Sequence, residues 1–425
     1  MSLAPRRAYY LVTTLHWFGL VMPMAVTVLL AQSRGITLTE VGLFMGLYSM
    51  VVAVLELPSG ASADALGRKR AFLLGGALSI VARGIFLVAF DLGAFIAFAV
   101  VLGASRALTS GSLEAWFIDA LLAEDPETDL QPELAAAGSF QLAGLAGGTL
   151  LGSALPPLFT SLPADATVSP LAVPLVTSLV VQALVLALAA SVIHEARVGA
   201  TATDVRGAVR PSAIVNLIAR AVSSVAGAPR LRLLLFVDFV VGAVLAASEN
   251  LWQPYFAGLL PGDDVTSGDG TVLLGVIIGG SFGVGVLGNL LATRLARLMG
   301  KRHALVAAIF QVAQGLAFML LALSGRFLLA AAVFWLTYLT RSGWNSPHAA
   351  LFHRDVPTHR RSVMLSAQSL AGFAGAFVGS VALGALADAS SIDAAWLVAG
   401  AVLLLSAVPY LRLDGLDRRA RVAQA

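Results

Sequence analysis

The sequence predicts an all-α integral membrane protein with twelve transmembrane helices in two related six-helix halves. Of its 425 residues, 58% are hydrophobic and only 12% are charged, whereas soluble domains carry about 25% charged residues. Twelve apolar stretches are each long enough to cross about 30 Å of hydrocarbon. A loop at residues 60–70 recurs in degraded form at 296–302, which indicates duplication. The twelve stretches are 8–32, 38–63, 71–90, 92–122, 134–160, 170–193, 230–258, 271–296, 303–324, 327–352, 362–387 and 391–411.

The positions of the cations orient these helices, because cytoplasmic loops of membrane proteins carry an excess of Lys and Arg. With the N-terminus inside, two cations (Arg34 and Arg326) lie outside, three (Arg83, Arg106 and Arg341) fall within spans, and the remaining 22 of 27 lie inside. Both termini are therefore expected in the cytoplasm, and the first stretch is expected to remain as an uncleaved span. Usage rich in Ala and Arg but poor in Lys indicates a GC-rich bacterial genome, so a bacterial cytoplasmic membrane is expected.

The composition also excludes several classes of protein. The chain has no cysteine, which excludes disulfides, thiol catalysis and Cys-based metal sites. Its net charge of +3 follows from the topology and gives no reason to expect nucleic-acid binding. No G-x4-G-K-[ST] loop for ATP occurs, and the histidines are scattered. We therefore expect neither an enzyme nor a metal or organic cofactor.

The chain divides into an N-terminal bundle at 1–193, a linker at 194–229, a C-terminal bundle at 230–413 and a cytoplasmic tail at 414–425. Apolar residues within the linker predict an amphipathic helix on the inner membrane surface; a solvated linker is the alternative. The two bundles share a spacing pattern in their fourth helices, Arg106-x4-Gly111-x2-Glu114 in one and Arg341-x4-Ser346-x2-Ala349 in the other.

Residues 60–70, GASADALGRKR, resemble the signature loop between the second and third helices of the major facilitator superfamily of secondary transporters. The resemblance implies two pseudo-symmetric six-helix bundles that work by alternating access, with this loop as a conformational latch. Gly67 would permit the tight turn, and the cations would pair with acids or lipid phosphates. The second copy has Arg297 where the first has Asp64, so only the first latch is expected to be complete. The latch residues implied are Gly60, Asp64, Gly67, Arg68 and Arg70.

Two further stretches, Ser110–Asp119 and Glu56–Gly60, resemble a branch of uncharacterised exporters close to the drug/proton antiporters. This resemblance implies a monomer that uses the proton gradient to export hydrophobic or amphipathic small molecules. The alternative is an importer or facilitator of a small polar or anionic metabolite, with Arg106 and Arg341 as anion clamps. A non-transporting receptor or scaffold is a third possibility.

Charges inside the membrane are expensive, at roughly 2.5–3.5 kcal/mol each, and therefore mark candidate proton sites. Glu114 is the leading candidate, and Arg106 resembles the fourth-helix arginine that the superfamily places beside a titrating carboxylate. On a straight helix they lie about 12 Å apart along the axis, so direct pairing is not expected. The alternative for Glu114 is a structural ion pair. The alternative for Asp119 is a place at the cytoplasmic interface, and the alternative for Glu56 is pairing with Arg83 or Arg106. The predicted proton-coupling set is Glu114, Arg106, Asp238, Glu56 and Asp119.

Substrate contacts are expected on spans one, seven and ten, because the superfamily lines its central cavity with spans one, four, seven and ten. Arg341, Asn345 and His348 share one face of an ideal helix and suit an anionic or hydrogen-bonding group. Residues of span seven at helical spacing form a candidate outer binding face; a helix end near the headgroups is the alternative. The predicted substrate-binding set is Arg341, Asn345, His348, Glu249, Trp252, Gln253 and His16.

Overall fold

The chain is all-helical, which confirms the predicted fold class. The computed structural model describes residues 4–195, 228–260, 265–266, 269–356 and 361–424, without the side chains of 57–66, 361–363, 418 and 420–424. These residues form fifteen α-helices and no strands. The predicted linker helix, and the predicted latch roles of Gly60 and Asp64, lie outside the described residues or side chains.

Most of the described helices follow one another through short connections, whereas residues 155–172 between α7 and α8 include two 3-10 turns. Their bounds are α1 Pro5–Val21, α2 Thr27–Gln32, α3 Leu38–Leu66, α4 Arg68–Val88, α5 Leu92–Thr109, α6 Ser112–Glu124, α7 Leu130–Ala154, α8 Val173–Val192, α9 Pro229–Gly258, α10 Gly270–Leu298, α11 His303–Ala322, α12 Phe327–Asp355, α13 Arg361–Ala389, α14 Ile392–Leu405 and α15 Val408–Gln424. Several begin at side-chain caps: Asp91 accepts from the N–H of Ala94, and Ser391 from that of Ala394. Such caps satisfy backbone donors that a helix leaves unpaired.

Ten helical segments of the described chain are long and apolar enough to cross a membrane. The two predicted stretches that do not meet this standard are 8–32 and 327–352. The first is interrupted by a 3-10 turn at Met22–Ala25 that contains Pro23. The second is a continuous helix, α12, whose charged and polar residues lower its hydropathy.

Contacts within the chain define two compact units. The first comprises the described parts of Met1–Ile36, Leu47–Val215 and Gly262–Gly279. In its core, Tyr9 stacks on Phe117 with ring centroids 4.1 Å apart. Helix α7 packs directly on the backbone of α1, since a Cβ added at Gly144 or Gly148 would clash with carbonyl oxygens of α1. Glycine is therefore required at both positions for this close approach.

The second unit comprises the described parts of Thr37–Gly46, Asn216–Pro261 and Gly280–Ala425. The start of α3 belongs to it because the Asp388 carboxylate of α13 accepts the backbone N–H groups of Leu38 at 3.1 Å and Thr39 at 2.7 Å. An acid at the N-terminus of a helix satisfies free donors and opposes the positive end of the helix dipole. A side chain distant in sequence thus supplies the cap of α3.

Equivalent ion pairs close the ends of helices in each unit and support the predicted duplication. In the first unit Arg6, at the start of α1, contacts Glu124 at the end of α6 (3.2 Å). In the second unit Arg230, at the start of α9, contacts Asp355 at the end of α12 (2.8 Å). In each half, the ion pair joins the first predicted span to the fourth.

The final helix differs from the predicted end of the chain. The predicted last span at 391–411 divides into α14 and α15, and α15 continues to Gln424 where a tail was expected from 414. Ion pairs anchor this extension: Asp414 accepts two hydrogen bonds from Arg302, at 3.0 and 2.6 Å, and Asp417 contacts Arg230 at 2.7 Å. The hydrogen bond to Asp414 raises the pKa of Arg302 further, so the guanidinium of Arg302 stays charged at physiological pH.

Candidate functional site

The fourth predicted span, 92–122, is broken between its two predicted functional charges, Arg106 and Glu114. Helix α5 ends at Thr109 and α6 begins at Ser112, with Gly111 between them at φ +69°. Only glycine adopts such a backbone without strain. Arg106 lies in the last turn of α5 and Glu114 in the first turn of α6, each favourable for the dipole of its own helix. The expectation of one straight helix is therefore wrong at this point.

Two adjoining cavities of the first unit meet at this break. One, of about 160 Å³, is lined by His16, Leu20, Tyr48, Ser79, Arg83, Leu102, Ser105, Arg106 and Thr109. The other, of about 90 Å³, is lined by Tyr9, Thr13, His16, Trp17, Phe72, Arg106, Thr109, Gly111, Leu113, Glu114 and Gln141. Because His16, Arg106 and Thr109 line both, we call the pair the helix-break cavity.

The charges of the helix-break cavity are predominantly cationic. The Arg83 guanidinium is buried at 6% exposure and donates to the Ser79 hydroxyl and to the backbone oxygen of Leu20, at 3.2 Å. Arg106 and Glu114 are exposed to the cavity, and among the described residues neither has an ion-pair partner. The lining of the two parts together thus includes two guanidinium groups and one carboxylate, so the cavity suits a ligand with an anionic group.

Three other predicted residues take different places in the first unit. His16, predicted to contact substrate, lines both parts of the helix-break cavity. Asp119 lies outside both parts and contacts the Arg68 guanidinium at 2.8 Å. This is the cytoplasmic-interface alternative considered for Asp119. Glu56 is half-buried on α3 and is not among the residues that line either part.

The predicted outer binding face of span seven is largely packed inside the second unit. Glu249 is exposed and lies 3.6 Å from Arg341, but Trp252 and Gln253 are only 1% and 3% exposed. The Trp252 ring packs on Phe334, with centroids 6.0 Å apart. Helical spacing placed these side chains together correctly, but it could not show that a neighbouring helix covers all of them except Glu249.

The predicted face of span ten also separates in the structure. Asn345 is exposed and Arg341 half-buried, whereas His348 is only 1% exposed. The His348 imidazole contacts Asp238 of α9 at 2.9 Å and Tyr410 of α15 at 2.6 Å. Sharing a face of an ideal helix does not fix how deeply each residue is covered, and α15 covers His348. The structure instead joins His348 to Asp238, which the sequence had assigned to a separate role.

The loop at 67–70 has an acidic partner that sequence reasoning missed. Gly67 has φ +87°, as expected for the tight turn. The Glu195 carboxylate then accepts the backbone N–H groups of Arg68 at 2.7 Å and Lys69 at 3.0 Å, and so caps α4. Arg70 is exposed. The only sequence signal for Glu195 was an acid directly after the sixth apolar stretch.

Solved structures with a similar fold are transporters by their titles. The nucleoside transporter NupG superposes with a TM-score of 0.77 at 12% identity, covering 96% of this chain and 99% of that one. A POT family transporter in complex with 5-aminolevulinic acid superposes with a TM-score of 0.67 at 15% identity, covering 96% of each chain. Identities this low establish a shared fold alone.

Comparison by sequence gives the family. No curated protein matches the chain significantly. The family model of the Major Facilitator Superfamily matches residues 9–379, which is most of the chain and includes the helix-break cavity. The expected superfamily is thereby confirmed, while the narrower drug/proton antiporter branch is not. The chain belongs to the Major Facilitator Superfamily of membrane transporters.

Proposed function

We propose that this transporter carries a small polar solute with an anionic group, bound in the helix-break cavity, and that the proton gradient drives its movement. The observation that carries the proposal is Arg106, whose guanidinium faces both parts of the cavity with no ion-pair partner among the described residues. An unpaired guanidinium in a membrane protein is expensive. A carboxylate or phosphate of the solute supplies the partner and the bidentate geometry that arginine favours.

The remaining lining gives the solute site further selectivity. Arg83 adds positive charge from deeper in the first unit, while Tyr9 and Trp17 offer aromatic faces to an apolar or planar portion of the solute. Glu114 places a carboxylate opposite these cations and suits an amine or hydroxyl donor on the same solute. Solved relatives by fold carry nucleosides and bind peptides or 5-aminolevulinic acid by their titles, which are polar molecules of this size class.

Export of amphipathic compounds is the competing function, and one observation favours it. The aromatic side chains of Tyr9, Trp17 and Phe72 all line the smaller part of the cavity. Such a wall suits flat apolar ligands as well as polar ones. Direction of transport and substrate class therefore need to be tested together.

The test of the proposed function is binding and uptake by the purified protein. Thermal stabilisation by a panel of small carboxylates, phosphate esters, nucleosides and dipeptides identifies a ligand, because ligands that bind only the folded state stabilise it. Uptake into proteoliposomes under an imposed pH gradient then tests coupling. Arg106→Gln should weaken binding about tenfold or more, since a charged hydrogen bond contributes about 1.5–3 kcal/mol.

Two controls make this test decisive. Arg326→Gln removes an exposed arginine outside the cavity and should leave binding unchanged. In parallel, an efflux-deficient bacterium expressing the protein is tested for resistance to a broad compound panel, with Glu114→Gln as the comparison. Resistance to amphipathic compounds together with no binding of any anionic solute would replace the proposal with export.

A further inference from the structure

The second unit contains a buried polar network that joins three of its helices. Asp238 of α9, His348 of α12 and Tyr410 of α15 are 8%, 1% and 0% exposed. The His348 Nε2 atom lies 2.9 Å from Asp238 Oδ1, and its Nδ1 atom lies 2.6 Å from the Tyr410 hydroxyl. Trp344 donates its indole N–H to the same hydroxyl at 2.7 Å. Carboxylate, imidazole and phenol therefore form one continuous chain.

The direction of the hydrogens along this chain follows from donor chemistry. The indole of Trp344 can only donate, so the Tyr410 oxygen accepts from it. The Tyr410 hydrogen is then directed to His348 Nδ1, which leaves the proton of a neutral imidazole on Nε2, facing Asp238. Gln368 of α13 also donates to Asp238 Oδ1, at 3.1 Å. The Nε2–H of His348 and the side-chain amide of Gln368 thus both point towards Asp238 Oδ1, and the Gln368 amide nitrogen also lies 3.2 Å from His348 Nε2.

The second oxygen of that carboxylate, Asp238 Oδ2, is buried and accepts no hydrogen bond from any of the described residues. An unpaired buried acceptor is unfavourable, and a bare carboxylate oxygen with all neighbouring donors on the other oxygen is a free position for a proton. The network therefore has room for one additional hydrogen, on Oδ2, without rearrangement of its other bonds.

The charged groups on the surrounding helices leave Asp238 Oδ2 available to bind a proton. Helix α12 presents His348, α15 presents Tyr410, and α13 presents the neutral Gln368. The nearest arginine on its own helix, Arg232, is six residues earlier and so about 9 Å away along the axis. Arg230, eight residues earlier, contacts Asp355 and Asp417. On α14, Asp393 interacts with Tyr255, which is about 25 Å further along α9. Within the described chain, no Arg or Lys pairs with Asp238.

We propose that Asp238, His348 and Tyr410 form a proton-binding site in which Asp238 Oδ2 takes up the exchanged proton. The step adds one H⁺ from the aqueous phase to the carboxylate, forms one O–H bond, breaks no other bond and raises the charge of the site by one. His348 and Tyr410 are positioning residues that hold Oδ1 and leave Oδ2 open. This site deepens the proposed function and rests on it for its role in coupling, since it places the driving proton away from Glu114.

The position of the site connects its proton to helix packing. From the residue directly after Asp238, α9 meets α13 at backbone contact, because a Cβ added at Gly375 would clash with the carbonyl of Phe239 and one at Gly379 with that of Ala243. Gln368, two turns before Gly375 on α13, donates to Asp238 across the same pair of helices. Protonation of Asp238 weakens it as the acceptor of the hydrogen bond from Gln368, at the end of this close backbone contact. The proton therefore changes how strongly α9 is held against α13.

The test titrates the proton without any solute. Infrared difference spectra of the full-length protein in liposomes, recorded against pH, report the C=O absorption of a carboxyl group that gains a proton. Intrinsic fluorescence is followed in parallel, because Trp344 stacks on His348 with ring centroids 4.6 Å apart. The wild-type protein should show a carboxyl signal that titrates together with a fluorescence change.

The variants identify which carboxyl group titrates. Asp238→Asn should lose this carboxyl signal and the linked fluorescence change, whereas Asp165→Asn, which alters an exposed aspartate, should keep both. Should Asp238→Asn fail to fold, Tyr410→Phe provides the second measurement: it removes the hydrogen directed to His348 and should shift the midpoint of both signals. An unchanged titration in a folded Asp238→Asn protein, or its loss in Glu114→Gln instead, overturns the proposal. Because no solute is present, failure to find a substrate would not affect this result.

Discussion

Replacing Gly67 by alanine should destabilise the protein at a single defined turn. Gly67 has φ +87° and ψ 139°, a conformation in which a side chain stores about 1–3 kcal/mol of strain. Its added Cβ would lie 3.0 Å from the Glu195 Oε2 atom and press on the carboxylate that caps α4. Losing such a cap costs about 1 kcal/mol. Gly67→Ala should therefore lower the free energy of unfolding by about 2–4 kcal/mol, the sum of both effects.

The matched control is Gly84→Ala, in the interior of the same helix. A Cβ at Gly84 meets nothing within 4 Å, and alanine is favoured over glycine in a helix interior by about 0.5–1 kcal/mol. The same chemical change should thus have opposite signs at two positions of α4. Denaturant titration of both variants in one detergent, with helical circular dichroism as the signal, measures the two differences.

The result that would refute this reasoning is a Gly67→Ala protein whose unfolding free energy lies within about 0.5 kcal/mol of the wild type. The turn would then tolerate a side chain, and the Glu195 cap would not depend on the glycine. Transport kinetics add a second readout. If the loop governs conformational switching, Gly67→Ala should slow turnover while solute binding remains measurable.

Two further predictions concern packing and charge in the second unit. Gly375→Ala should sharply reduce the folded yield, because its Cβ would clash with the Phe239 carbonyl, whereas Gly372→Ala, whose Cβ meets only one atom at 4.0 Å, should be tolerated; size-exclusion profiles of both compare them. Asp414→Asn should lower the unfolding free energy by about 1.5–3 kcal/mol, because Asp414 is only 7% exposed and accepts two charge-assisted hydrogen bonds from Arg302. High salt should change this difference little, because buried pairs are screened less than exposed ones; a loss that disappears in high salt would contradict the buried pair.

Much of the fold was predictable because membrane helices are encoded locally. Apolar stretches depend on neighbouring residues in the sequence, and they predicted most of the helical segments; the orientation expected from the cation positions stays a prediction. The break at Gly111 was not predictable in this way, since the apolar run continues on both sides and only the positive φ reveals the break. The 3-10 turn at Met22–Ala25 was missed for the same reason.

The candidate sites were only partly predictable, because burial depends on which helix covers which face. The sequence selected Arg106, Glu114 and His16, and the structure brings all three to one cavity. It also selected Asp238 and His348, but it assigned them different roles. No local pattern connects these residues with Tyr410, which lies 62 residues beyond His348. Pairing across helices was the missing information in each case.

The two halves carry different types of residue at equivalent positions of spans four and ten. The spacing that aligns spans four and ten pairs Leu113 with His348 and Glu114 with Ala349. Leu113 and His348 are both buried, at 7% and 1% exposure, so the two positions face the interior of their units in the same way. A shift of one residue turns a side chain by about 100°, which takes Glu114 out to a cavity and keeps His348 inside. Under the proposed function, solute contact uses the exposed charges of the helix-break cavity and proton exchange uses the buried network at Asp238, so duplication of the bundle would give one chain both environments.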